Sequence, residues 1–161
     1  MHYQIRSARM DDLQRIQDIY ANARAFMAQT GNPTQWGEHY PPVQMIISDI
    51  QGNSLYVIED EDIIHGVFYF CIEDDLTYHV IEDGRWRAEK PYGVIHRVAG
   101  DGSGGILGSA VSFAWRHIHH LRIDTHHDNL VMQKALEKQG FLKRGLIYLT
   151  DGSPRIAYDR I

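Results

Sequence analysis

Apolar residues recur along the chain with two different periods, and their order predicts how the elements follow one another. Spacings of three and four, which place side chains on one face of a helix, link Leu13, Ile16 and Tyr20, whereas residues 3–8 alternate as in a strand. The same criteria predict a strand over 3–8, a helix from Leu13 to Met27, a helix over 43–50 ending at Gly52, two strands within 54–75, a strand over 94–100, a helix over 106–117, a strand over 120–125, a helix over 130–139, and strands over 146–150 and 155–159.

This order predicts an α/β protein of the α+β type, because mostly antiparallel strands precede a single strand–helix–strand unit. We expect a mixed, mostly antiparallel sheet of six to seven strands with helices on both faces, formed by residues 1–161 as one domain. The segment 106–117 is apolar almost all round, which predicts a buried helix. Residues 76–93 are polar and rich in turn residues, and we expect an excursion with some strand content there.

The bulk composition argues against several function classes. The net charge of −5 and the pI near 6.0 argue against a nucleic-acid-binding protein, which normally has a basic face. The longest helical apolar stretch is about half of the ~20 residues that a membrane span needs, so we expect no membrane partner. The single cysteine, Cys71, excludes a disulfide framework, and the polar N-terminus has no signal-peptide core. We therefore expect a cytoplasmic protein.

A glycine-rich turn between a predicted strand and helix lies at residues 98–111, and this arrangement is typical of phosphate binding. Backbone N–H groups and the helix dipole stabilise an anion there without a basic side chain. A Walker A site is excluded because no Lys-Ser/Thr pair follows Gly105. The dinucleotide pattern G-x-G-x-x-G matches Gly100, Gly102 and Gly105, with Asp124 where a ribose-binding acid would lie. Too little chain follows for the remaining units of such a domain, and an NAD-binding module is kept as an alternative hypothesis.

Four segments, in this order, resemble the GCN5-related N-acetyltransferase (GNAT) family over nearly the whole chain. They are 3–16, similar to the family's opening strand and helix; Gln35-Trp36 with Tyr40-Pro41, which resembles a loop of a bacterial branch; 94–111, similar to the cofactor strand, turn and helix; and Asn129 with Gly140-Phe141, which resembles the closing signature. The resemblance implies a GNAT-like acyl-CoA acyltransferase fold. It also implies an N-acetyltransferase that moves acetyl from acetyl-CoA to an amine of a small molecule or peptide by direct nucleophilic attack. A homodimer is left open, and a non-catalytic acyl-CoA-binding sensor on the same fold is an alternative.

The resemblance places the acetyl-CoA site between the strands over 94–100 and 120–125, which splay apart in the family. The implied cofactor-binding residues are Val98, Ala99, Ser103, Gly104, Gly105, Ile106, Leu107, Gly108, Ser109 and Asn129. The turn and the last helix depart from the family pattern. In the turn, Ser103 stands where a basic or amide residue is usual, and the middle glycine is replaced by Ile106 or displaced to Gly105. In the last helix, Leu136 stands where many members carry a tyrosine general acid. Phosphate binding would then rest on backbone N–H groups, and the acid must come from another residue or from solvent.

The transfer also needs a base for the amine, and His96 is the first candidate because histidine side chains titrate close to neutral pH. Strand alternation predicts that His96 and Val98 share one face. Glu73 and Asp74 are alternative bases acting through water, and Tyr148 and Tyr158 are candidate acids.

Aromatic residues in two predicted loops could form the wall of a substrate pocket: Trp36, Tyr40 and Trp86. Five of the ten histidines cluster between 117 and 127. Because no Cys pair or H-E-x-x-H motif accompanies them, we predict no metal site.

Overall fold

The computed structural model describes residues 2–161, and its elements follow the predicted order. The strands and helices are β1 (Gln4–Ser7), α1 (Leu13–Gln29), α2 (Val43–Gln51), β2 (Leu55–Asp60), β3 (Ile63–Ile72), β4 (Gly93–Gly100), α3 (Ile106–His117), β5 (Leu121–Thr125), α4 (Leu130–Lys138), β6 (Leu142–Tyr148) and β7 (Pro154–Arg160). No helix within residues 2–161 is both long and apolar enough to cross a membrane.

The seven strands form one sheet in the order β1-β2-β3-β4-β5-β7-β6. Strands β4 and β5 are parallel, and all the other neighbouring pairs are antiparallel. The mixed, mostly antiparallel sheet confirms the predicted fold class. A doubly wound dinucleotide-binding sheet is built from successive parallel pairs, so this topology argues against the NAD-binding alternative.

Helices cover both faces of the sheet, each over its own hydrophobic cluster. On one face, Ala110 of α3 and Leu136 of α4 pack in the first cluster. On the other face, Ile16 of α1 and Ile46 of α2 pack in the second cluster. The chain between β3 and β4 lies on the α1 side and contributes Tyr78 to a third, smaller cluster with residues of β4, β6 and β7.

Three details of the fold differ from the sequence predictions. Helix α3 is not buried all round: one face carries buried residues such as Ala110, while Ser112 and Arg116 are exposed. Strand β6 begins at Leu142 rather than 146, because its first residues pair with β7 while their side chains remain exposed at the sheet edge and lack apolar alternation. Within 76–93, the excursion contains a 3-10 turn and a single bridge, from Glu82 to Leu146.

A β-bulge interrupts β4 at the point where the candidate site lies. Tyr69 of β3 pairs with His96, but Val67 pairs with Ala99, so β4 has one residue more than its partner. Arg97, within this bulge, has φ of 51°. The bulge breaks strand alternation, and the prediction that His96 and Val98 share one face is therefore wrong. Val98 packs against the first hydrophobic cluster, whereas the His96 ring lies beside Tyr69 at the second.

Candidate active site

Strands β4 and β5 separate after a short parallel contact, and this separation opens a cleft in the sheet. They pair only through Gly93 with Leu121 and Val94 with Arg122. The rest of β4 diverges from β5, as the GNAT resemblance implies. Two cavities occupy the cleft, one of about 530 Å³ and one of about 450 Å³.

The larger cavity, here called the groove, lies between α1, the end of β4, the glycine turn and α4. Six of the predicted cofactor-binding residues line it: Val98, Ala99, Gly104, Ile106, Leu107 and Asn129. Sequence reasoning missed the wall supplied by α1 and the residue after it, which includes Phe26, Gln29 and Thr30. Phe26 follows the buried residues Ile19 and Ala23 at helical spacing, so the sequence predicts packing there, whereas its side chain is 51% exposed in the structure.

The other four predicted cofactor residues do not line the groove. The Ser103 N–H donates to Asp101 Oδ1 at 3.0 Å, and Ser103 Oγ lies 3.1 Å from His65 Nδ1. Gly105, Gly108 and Ser109 line a third cavity of about 500 Å³ on the far side of the first turn of α3. The predicted cofactor-binding residues therefore do not all face one cavity. Some line the groove, and others line the third cavity on the opposite side of the first turn of α3.

Charged side chains fix the glycine turn in place. Asp101 Oδ2 lies 2.8 Å from His65 Nδ1 and 3.2 Å from Arg15 Nη2. Burial raises the pKa of Asp101, but hydrogen bonds from Ser103 and His65 outweigh it and hold the pKa below its usual value. Gly100 precedes this network, and a Cβ atom there would lie 2.8 Å from Ile106 Cγ1. The residue at 100 must therefore be glycine for β4 and α3 to approach this closely.

The smaller cavity, here called the acceptor cavity, is lined by polar and charged side chains from several segments. His96 lies on its wall together with Asp75, Asp124 and Arg155. The predicted substrate residues Trp36 and Tyr40 also line it, and Trp36 packs edge-on against Tyr20 with ring centroids 5.7 Å apart. Met27, Val98, Asn129 and Met132 line both cavities, so the groove and the acceptor cavity meet at these residues.

His96 and Asp75 form a hydrogen-bonded pair in the acceptor cavity. His96 Nε2 lies 2.9 Å from Asp75 Oδ2, and the Thr77 N–H and Oγ1 donate to Asp75 Oδ1. Burial raises the pKa of Asp75, but the hydrogen bonds from His96 and Thr77 outweigh it and lower the pKa to about 2. An ionised carboxylate only accepts hydrogen bonds. His96 therefore carries a proton on Nε2, and in the neutral ring Nδ1 is the proton acceptor.

Within the acidic run 73–75, the structure brings to the acceptor cavity a different carboxylate from the two that the sequence suggested. Glu73 Oε1 accepts a hydrogen bond from the Tyr69 hydroxyl at 2.8 Å, and exposed Asp74 pairs with His79. Neither lines the acceptor cavity, whereas Asp75 does. These acidic residues directly follow β3. Tertiary packing sets the conformation of the turn after the strand, and that conformation determines which carboxylate points into the acceptor cavity.

Three other candidates lie away from both cavities. Trp86 is buried in the third hydrophobic cluster, where its indole N–H donates to the Tyr78 carbonyl at 2.9 Å, so it is a packing residue rather than a pocket wall. The Tyr148 hydroxyl donates to Glu82 on the outer surface of β6. Tyr158 is buried in the first cluster, and burial raises its pKa. We therefore do not retain Tyr148 or Tyr158 as the general acid.

Two further charged residues of the acceptor cavity have partners of opposite charge or hydrogen-bond donors. Arg97 Nη2 lies 2.9 Å from Asp49, and its guanidinium lies over the Tyr69 ring at 4.6 Å. Asp124 Oδ2 accepts the Tyr78 hydroxyl at 2.7 Å. Both groups are thus satisfied within the protein.

The histidine cluster brings three potential metal ligands together after β5. Single atoms of His126, His127 and Asp128 lie within 4.8 Å of one another. His126 Nδ1 already accepts the Asp128 N–H at 3.0 Å. That no metal is bound stays a prediction.

Comparison with solved structures places this geometry among acetyltransferases. A GNAT-family acetyltransferase from Streptococcus agalactiae is 29% identical, with 99% of this chain and 95% of that chain covered and a TM-score of 0.87. A GNAT-family acetyltransferase from Listeria monocytogenes is 20% identical, with 98% and 94% covered and a TM-score of 0.72. The Salmonella typhimurium protein yncA, solved with its cofactor acetyl-CoA, is 13% identical, with 98% and 92% covered and a TM-score of 0.61.

No protein-family model and no curated protein sequence matches the chain. The assignment rests on the splayed β4–β5 pair, the groove beside the glycine turn, and the S. agalactiae structure, which matches over nearly the full length of both chains. The chain has the fold of GNAT-family acetyltransferases over nearly its full length and is, by this similarity, an acyltransferase with an acetyltransferase function.

Proposed function

We propose that the protein transfers acetyl from acetyl-CoA in the groove directly to an amine in the acceptor cavity. The observation that carries this proposal is the junction of the two cavities at Val98 and Asn129. A donor and an acceptor bound on either side of that junction can meet without an intermediate attached to the enzyme. We also infer that residues 1–161 act as one catalytic domain.

The groove suits a long, mostly apolar donor arm with a phosphate end. Ala99, Ile106 and Leu107 give it an apolar wall, and the first turn of α3 begins beside it. The first N–H groups of a helix have no partner within the helix and attract anions. We infer that they hold the pyrophosphate of acetyl-CoA, and that a backbone N–H near Val98 polarises the thioester carbonyl.

The His96–Asp75 pair is the base that the proposal assigns. Asp75 accepts the Nε2 proton, so Nδ1 of His96 is the nitrogen that can take a proton from the ammonium of the acceptor. The amine nitrogen then bonds to the acetyl carbon, the C–S bond breaks, and the nitrogen loses its second proton to solvent as the amide forms. The thiolate takes its proton from solvent, because Leu136, at the position of the family tyrosine, has no proton to donate.

Thermal unfolding of the purified protein with acetyl-CoA, CoA, NAD or no ligand tests the donor half of the proposal. A ligand at 100 times its Kd adds about 2.7 kcal/mol to the free energy of unfolding, which raises Tm by several degrees. We expect a shift with acetyl-CoA and CoA and none with NAD. Thiol release from acetyl-CoA in the presence of an amine panel then tests transfer.

The absence of any shift with millimolar acetyl-CoA would contradict the proposal. A shift without thiol release from any amine would instead support an acyl-CoA sensor.

A further inference from the structure

Arg155 is a buried cation on the wall of the acceptor cavity. It lies on β7 and is only 8% exposed. Its hydrogen bonds go to two backbone carbonyls, from Nη1 to Pro154 at 2.9 Å and from Nη2 to Gln35 at 3.5 Å. Across residues 2–161, no carboxylate lies within ion-pairing distance of its guanidinium.

Two neighbouring arginines have compensating contacts that Arg155 lacks. Arg97 lines the same cavity but is paired with Asp49. Arg122, also buried, has its guanidinium 4.2 Å from the Trp86 ring centroid and 4.0 Å from that of Tyr92. A guanidinium removed from water without an anion costs free energy. An anionic group bound in the cavity would remove that cost at Arg155.

Negative and proton-accepting groups lie elsewhere on the same cavity. Asp124 pairs with Ala157 across β5 and β7, and Arg155 lies two residues from Ala157, so both side chains are on one face of the sheet. The His96–Asp75 pair lines the wall that β4 contributes. The acceptor cavity therefore presents the Arg155 guanidinium on β7 and three carboxylates, from β5 (Asp124), from the segment after β3 (Asp75) and from the turn between β6 and β7 (Asp151).

We propose that the acceptor is a free amino acid, whose carboxylate binds Arg155 while its amine faces His96. The inference rests on the proposed acetyl transfer and names the substrate class of that site. A guanidinium binds a carboxylate through two parallel hydrogen bonds, which fixes the orientation of the ligand as well as its affinity. The Asp124 and Asp75 carboxylates favour the ammonium group before it loses its proton.

The test compares each L-amino acid with its own carboxamide, which retains the amine and side chain but lacks the charge that Arg155 would bind. Aliphatic monoamines complete the panel. Thiol release from acetyl-CoA gives kcat/KM for each acceptor with the wild-type protein, R155Q, R155K and R85Q. Arg85 is exposed and lies outside the acceptor cavity, so R85Q is the matched loss of charge.

We expect the best amino acid to exceed its carboxamide by about 100-fold in kcat/KM, mainly through KM. R155Q should lower kcat/KM for the amino acid to about that for its carboxamide, R155K should retain part of the advantage, and R85Q should retain all of it. An equal rate with acid and carboxamide, or a monoamine as the best acceptor, would overturn the inference. The wild-type comparison decides this even if R155Q does not fold.

Calorimetric binding of the amino acids and carboxamides to the protein with CoA separates the two proposals. Arg155-dependent binding of an amino acid without thiol release would leave the inference standing and overturn acetyl transfer. Thiol release only with amines that lack a carboxylate would leave transfer standing and overturn the inference. Absence of both binding and release would overturn both.

Discussion

The groove and the acceptor cavity meet at Val98 but are built in different ways. Most of the groove wall beyond α1 and α4 comes from one continuous segment, 98–107, with backbone and apolar side chains. The acceptor cavity combines residues from loops, from β4 and β5, and from the segment around β7, and many of them are charged. The groove can therefore accommodate a ligand shared by many proteins, whereas in the proposed reaction the side chains of the acceptor cavity select the amine.

The largest effect is expected for H96A, which removes the proposed base from the acceptor cavity and leaves the groove unchanged. Removing a general base slows transfer by about 100-fold or more, and kcat should fall by that factor while the Kd of acetyl-CoA stays within about 3-fold. Steady-state thiol release and calorimetry measure the two quantities. The matched control is H79A, since His79 forms a histidine–aspartate pair with Asp74 outside the cavity. An equal loss of kcat in both variants would remove His96 from the proposed mechanism.

A smaller effect, on the donor side alone, is expected for A135W. Ala135 lines the groove but not the acceptor cavity, so a tryptophan there fills donor space. We expect the Kd of acetyl-CoA to rise about 30-fold, equivalent to about 2 kcal/mol, with the free energy of unfolding little changed. K134W, at an exposed position of the same helix, should bind acetyl-CoA normally. Equal Kd values for the two variants would contradict the placement of the donor.

The third test concerns the stability that Asp75 contributes. Its pKa of about 2 lies below the value near 3.8 of an unfolded chain, so the contribution is complete above pH ~4 and is lost as pH falls towards 2. The difference corresponds to about 2 kcal/mol.

In urea unfolding, the stability advantage of the wild type over D75N should therefore shrink by that amount between about pH 5 and pH 2. D74N changes the neighbouring exposed carboxylate, and its free energy of unfolding should change with pH in parallel with that of the wild type. If the free energy of unfolding of D75N also changes in parallel with that of the wild type, the pairing of Asp75 with His96 does not contribute to stability.

Sequence patterns predicted the groove better than the acceptor cavity, for physical reasons. The glycine turn and the helix after it are contiguous, and local geometry determines them. The bulge at Arg97 was not predictable, because a non-glycine residue with positive φ leaves no compositional signal. Asp75 and Arg155 needed the tertiary structure, since the turn after β3 and the pairing of β7 with β5 bring them to the cavity. That Arg155 has no carboxylate partner among residues 2–161 cannot be read from a sequence at all.

The position of β7 has a consequence for how the chain folds during synthesis. It lies between β5 and β6 in the sheet, yet it is the last of the seven strands to leave the ribosome. Until it emerges, β6 has no neighbouring strand within the described sheet, and the exposed edge of β5 is unpaired. The strands of the groove can assemble earlier, because β1 to β5 are neighbours in both sequence and space. The acceptor cavity is thus completed only when Arg155 has been translated and β7 has entered the sheet.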